Sequence, residues 1–108
     1  MTIKIAHNIP FFMTKSIEEL LQKNPNWQSV LSHIHSQLPQ IKKTPRINYF
    51  SVWTVENDDA GQSRIFCQED TGCVHKFTMI FPFKLPQQKL YLCLNELDGY
   101  TLMLPSDY

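Results

Sequence analysis

The clearest pattern along the chain is helical. Trp27, Val30, Leu31, Ile34 and Leu38 recur at i, i+3, i+4, i+7 and i+11, which at about 100° per residue places them on one stripe. Gln28, Ser29, Ser32, His33 and Ser36 occupy the other side. Asn24 stands as a cap and Pro25 in the first helical position, where its missing N–H does no harm; Pro39 predicts the end. A shorter helix is expected from about Ile17 to Lys23, because Ser16 and Glu19 form a capping box before Leu20 and Leu21. Upstream, Ile3 and Ile5 alternate with polar neighbours over Thr2–Ala6, a short first strand ended by Asn8-Ile9-Pro10.

From Ile47 onward the period changes. Five strands are predicted: Ile47–Val55, Ser63–Gln68, Cys73–Phe83, Lys89–Leu94 and Tyr100–Leu104. Turn chemistry separates them at 57–61, 70–72, 85–88 and 95–99. Short connections favour an antiparallel meander, and Pro82 marks the third strand as shorter, bulged or at an edge near its end. The expected fold is therefore α+β: one or two N-terminal helices packed on an antiparallel sheet of about five strands, in a single domain covering 1–108.

Most of these strands are apolar on both faces. Leu90, Leu92 and Leu94 oppose Tyr91 and Cys93; Tyr49, Trp53 and Val55 oppose Phe50 and Val52. One face should bury under the helix stripe. The other keeps Phe50, Val52 and Tyr91, to be covered by residues 1–15, by a partner or by a second copy.

Charge sharpens this picture. Ten basic residues balance ten acidic ones, which disfavours a protein that binds nucleic acid through phosphates. The balance hides an asymmetry: residues 1–46 carry net +4 and residues 47–108 net −4. In a meander alternate turns share an end of the sheet. Glu69, Asp70, Glu96 and Asp98 would then gather at one end beside Tyr100, forming a negative surface for a basic protein partner.

Candidate chemistry changes little. Cys67, Cys73 and His75 flank one predicted hairpin, but a structural zinc site needs four ligands and no fourth is evident. His33 and His35 point about 200° apart on a helix and cannot share a metal. A nucleophilic Cys67 or Cys73 activated by His75, with Glu69 or Asp70 orienting the ring, has the residue types but no surrounding signature. Glu56, Asp58 and Asp59 crowd one turn without the spacing of a calcium loop. Three scattered glycines cannot build a phosphate cradle, and the Lys42-Lys43-x-x-Arg46 cluster is short for a nucleic-acid patch.

No cofactor, metal or catalytic residue is expected. Three cysteines without framework spacing, no secretory pattern and no membrane-length apolar run place the protein in the cytoplasm. The expected function is non-enzymatic binding, in the form of a small bacterial immunity- or antitoxin-type inhibitor of a basic, nuclease-like toxin. The alternatives are a small cysteine/histidine enzyme and an oligomeric structural subunit.

Overall fold

A computed structural model describes residues 8–58, 60–68 and 76–108. Two helices pack on a mixed sheet of six strands. The elements are β1 (Phe11–Met13), α1 (Lys15–Lys23), α2 (Trp27–Lys42), β2 (Phe50–Asn57), β3 (Ser63–Gln68), β4 (Lys76–Phe81), β5 (Gln88–Leu94) and β6 (Tyr100–Met103), closed by a 3-10 turn at Pro105–Asp107. The strand order is β1-β6-β5-β2-β3-β4. The β1–β6 pair is parallel and all others are antiparallel.

The α2 stripe does what its spacing predicts. Trp27, Val30, Leu31, Ile34 and Leu38 are buried against Trp53, Val55, Ile65, Leu90, Leu92 and Leu102 of the sheet. The helix does not stop at Pro39, however, and runs on to Lys42. Proline there removes one i→i−4 bond and costs about 3 kcal/mol. Continuing for one more turn buries Ile41 completely, worth about 1.5–3 kcal/mol, and extends the stripe past Leu38. The end is closed by Lys43 N–H and the Thr44 hydroxyl, both donating to the Gln40 carbonyl.

The predicted capping box at Ser16 is not formed. Thr14 is the N-cap and Ser16 lies inside α1. Both hydroxyls turn to the far end of the chain and donate to the Asp107 carboxylate at 2.8 Å each, while Leu104 N–H donates to the same group. These bonds hold the Asp107 carboxyl below its ordinary pKa. They also tie the C-terminal turn to the start of α1.

The expected meander breaks once. β2, β3 and β4 follow one another, but β5 pairs with the other side of β2. The chain crosses over at Leu85, which is fully buried. Its backbone N–H donates to Ser63 Oγ at 2.6 Å and its carbonyl accepts from Asn57 Nδ2 at 2.8 Å. Residues 82–87 reach roughly 20 Å extended, enough to pass the three strand spacings, roughly 14 Å, between β4 and β5.

Pro82 ends β4, which is an edge strand and stops at Phe81, as the proline foretold; the strand is also bulged, but at its other end. Between Ile65/Met79 and Cys67/Lys76 the register slips by one residue, and Phe77 adopts φ +56°. The first strand predicted at Thr2–Ala6 lies outside the described residues. β1 at Phe11–Met13 went unanticipated. It is secured where Tyr100 N–H donates to the Pro10 carbonyl and Thr14 N–H to the Leu102 carbonyl. Gly99 permits this approach, since a Cβ there would lie 2.4 Å from Pro10 O.

Candidate protein-binding surface

The acidic residues expected to form a docking end fare differently from one another. Glu69 and Asp70 lie outside the described residues. Glu96 is exposed in the β5–β6 turn. Asp98, at φ +59°, is engaged by Lys42 from the last turn of α2: Nζ lies 2.8 Å from its carboxylate and 3.1 Å from its carbonyl oxygen. Lys42, at the end of α2, thus pairs with one of the four carboxylates. Tyr100 is a core residue with no exposed surface, its hydroxyl donating to the Asn48 carbonyl at 2.8 Å. Burial, and secondarily the Asp98 charge, push its pKa up. It presents nothing to a partner. The crossover also spreads the acidic end. The end of β3 and the start of β4 lie at the same end of the sheet as the β5–β6 turn, but the two strand pairs are centred about three strand spacings apart, roughly 14 Å, instead of the two a meander gives.

The candidate reactive groups are occupied in the fold. Cys67 is buried opposite Trp53, and its thiol pKa is pushed up from 9.0 to about 12 by desolvation, against smaller downward pulls from the Ser51 hydroxyl and the Lys76 charge. Such a thiol stays protonated at neutral pH and is a poor nucleophile. Cys93 faces the other side of the sheet, and burial raises its pKa too. Cys73 and His75 fall outside the described residues. His33 and His35 point to opposite sides of α2, as their spacing requires. His33 Nε2 donates to the Phe77 carbonyl at 2.7 Å, and the His35 ring meets Phe11 edge-on. Glu56 pairs with Arg64 at 2.8 Å, and Asp58 Oδ1 accepts from Ala60 and Gln62 N–H within its own turn. Asp59 lies outside the described residues. Among the described residues no three His, Cys, Asp or Glu side chains are placed to hold a metal.

What remains is the sheet face turned away from the helices. Its side chains form cross-strand rows. Phe12, Thr101, Cys93 and Phe50 make one row; Met103, Tyr91, Val52 and Gln68 make the next. Lys89, Thr54 and Phe66 follow, and then Glu56, Arg64 and Ile80. The ionised groups cluster toward one end, where Glu56 and Arg64 neutralise each other and the guanidinium lies 5.3 Å above the Phe66 ring. The rest combines aromatic and aliphatic side chains with Thr101, Thr54 and Gln68. After the 3-10 turn the chain folds back, so that Tyr108 packs on Phe50 at 5.4 Å and on Tyr91 at 5.6 Å, and these two rings meet at 5.0 Å. Tyr108, itself 78% exposed, lies over Phe50 and Tyr91, while Phe66 and the Thr54 hydroxyl at the centre of the face are buried. Phe12 and Ile80, at the two lateral edges, are 44% and 59% exposed.

The sequence foresaw Phe50, Val52 and Tyr91 on a second apolar face. It did not foresee Phe12, which depends on β1, or the C-terminal tyrosine folding onto that face. Among the described residues no helix is long and apolar enough to cross a membrane.

No curated protein matches the chain. A crystal structure of a protein of unknown function from Enterococcus faecalis is similar over 99% of this chain and 98% of its own, with a TM-score of 0.67 and 12% sequence identity. At that identity the likeness is one of fold. A family model matches residues 2–108, and on that match the chain belongs to DUF6876, a family of unknown function.

Proposed function

We propose that this protein is a non-enzymatic binding domain that docks a protein partner on its open sheet face. The observation that carries this reading is the set of aromatic and aliphatic side chains on that face, exposed at its edges by Phe12 and Ile80, with one polarised end and, among the described residues, Tyr108 laid on Phe50 and Tyr91. Interface cores are rich in such side chains and poor in charge. The protonated, buried Cys67 supports a binding role over cysteine catalysis. In this reading the protein works in the cytoplasm, where Cys67 and Cys93 remain thiols.

An immunity- or antitoxin-type inhibitor of a basic toxin is the narrower form of the same proposal. It draws on the acidic C-terminal half, and Glu96 is available to it. It rests on fewer carboxylates than the sequence offers, because Asp98 already holds Lys42.

The test compares affinity capture by the wild-type chain and by a Phe12→Lys/Ile80→Lys variant, from cells that encode it, at low and high salt. Both positions are exposed enough to accept lysine without unfolding. The expected result is a stoichiometric protein retained by the wild type through the high-salt wash and lost by the variant. Identical capture by both overturns the assignment to this face. Binding that vanishes in high salt and in Glu96→Lys, but survives the sheet variant, moves the site to the acidic end. Light scattering on the purified chain reports whether the partner is a second copy.

A further inference from the structure

A second surface lies on the other side of the sheet, along β4. A helix is about 10 Å across, while the axes of six strands span about 24 Å. α2 runs over the middle, with His35 leaning to Phe11 of β1 and His33 to Phe77 of β4. α1 packs against β1 and β6. The strip along β4 is left as a groove of about 450 Å³ between α2 and the sheet edge.

Its two walls differ in chemistry. The α2 wall presents Ser29, Ser32 and Ser36, short hydroxyls at i, i+3 and i+7 that allow a close neighbour. The floor is Met79, Phe81 and Phe83, the two phenylalanines stacked at 5.4 Å and Met79 43% exposed. Among the described residues no lysine, arginine or carboxylate lines the groove, and the charge at its ends has one sign. Neither α2 nor residues 76–88 contain an acidic side chain, while Lys76 and Lys84 bracket the floor strand. Among the described residues neither lysine is paired with a carboxylate.

The edge itself is poorly suited to accept another strand. β4 is short, ends at Pro82, and is kinked by the Phe77 bulge, whose carbonyl is drawn out toward His33. Those are the features that blunt sheet edges against strand addition. A helix laid beside α2 needs no backbone bonds from β4. It needs an apolar floor, a wall of small residues and room, and all three are present.

We infer that this groove receives an amphipathic helix of a partner protein, apolar face down on Met79, Phe81 and Phe83, with acidic residues near its ends opposite Lys76 and Lys84. The floor strand is roughly 20 Å long, matched by a helix of about 13 residues. The site is separate from the open sheet face and stands or falls independently of it.

The probes are designed helical peptides of about 14 residues with leucines at i, i+3, i+4 and i+7. One carries glutamates at its ends, one carries lysines there, and a third is the glutamate peptide interrupted by proline. Each is titrated into the isotope-labelled full chain and followed by amide chemical shifts, up to about 1 mM. The glutamate helix is expected to give saturable shifts at Ser29, Ser32, Ser36 and around Met79, with affinity about tenfold above the lysine helix. Met79→Glu should abolish these shifts, and Phe12→Lys, on the opposite face and at the far edge of the sheet, should leave them unchanged. Equal or tighter binding of the lysine helix overturns the charge assignment. Equal binding of the proline-broken peptide shows an extended occupant and overturns the helix. Shifts confined to other surfaces, or none with any peptide, overturn the site.

Discussion

Raising the pH should destabilise this protein, and the Cys67 thiol carries a separable share of the loss. Cys67 is buried beside Trp53 and Ser51, and burial lifts its pKa from 9.0 to about 12. Below pH 9 the folded and unfolded chains both carry the proton, and the group imposes no slope. Between about 9 and 12 the unfolded chain loses the proton while the folded chain keeps it. Stability then falls by about 1.4 kcal/mol per pH unit, or roughly 2 kcal/mol between pH 9 and 10.5. Cys67→Ala removes that linkage at the cost of a small cavity, about 1 kcal/mol. Urea denaturation at pH 8 and 10.5, with reductant present, separates the two effects. Wild type should be the more stable at pH 8 and the less stable at pH 10.5. A gap between wild type and variant that stays the same at both values refutes a thiol held neutral by burial. It would also return Cys67 to the list of candidate nucleophiles.

Three further perturbations follow from the packing. His33→Ala leaves the Phe77 carbonyl without its donor and the positive φ of the bulge without its tether; a loss of about 1–3 kcal/mol is expected by chemical denaturation, with faster hydrogen exchange in β4. An unchanged midpoint and unchanged exchange would mean that the bulge holds itself. Gly99→Ala drives a methyl into Pro10 and should cost about 1–3 kcal/mol, opening the amides of β1 and β6 before those of β2; uniform opening would count against a local cause. Asp107→Ala cuts the C-terminal turn from Thr14 and Ser16. Because the folded carboxyl has the lower pKa, its stabilisation is present above the ordinary value of 3.8 and fades below it, so wild-type and variant melting temperatures should converge as pH falls from 6 to 3. A difference that does not narrow at all between pH 6 and pH 3 would show that the carboxylate charge is not what binds the turn.

Local pattern carried much of this fold. The 27–38 stripe named the faces of α2, and the alternation of Leu90, Leu92 and Leu94 against Tyr91 and Cys93 named those of β5, because both depend on neighbours a few residues away. What the sequence concealed was long-range. β1 is three residues that become a strand by pairing parallel with β6, almost ninety residues on. The crossover at Leu85 depends on Ser63 and Asn57 meeting both of its backbone polar groups. Pro39 read locally is a stop, and the burial of Ile41 overrides it. The acidic end lost coherence for similar reasons. Lys42 reaches Asp98 across 56 positions, and Tyr100 turned inward because its alternation partner Leu102 shares the core face. An aromatic beside acidic turns reads the same way in sequence whether it lines a docking site or a core.

The central claim is that the open sheet face is where a partner sits. It is tested most directly by placing a photo-crosslinking amino acid at Ile80, on that face, and separately at Gln22, exposed on α1, then irradiating the cells that make the protein. The account predicts a discrete crosslinked protein from position 80 and none from position 22. Crosslinks from neither position, or the same ones from both, would contradict it.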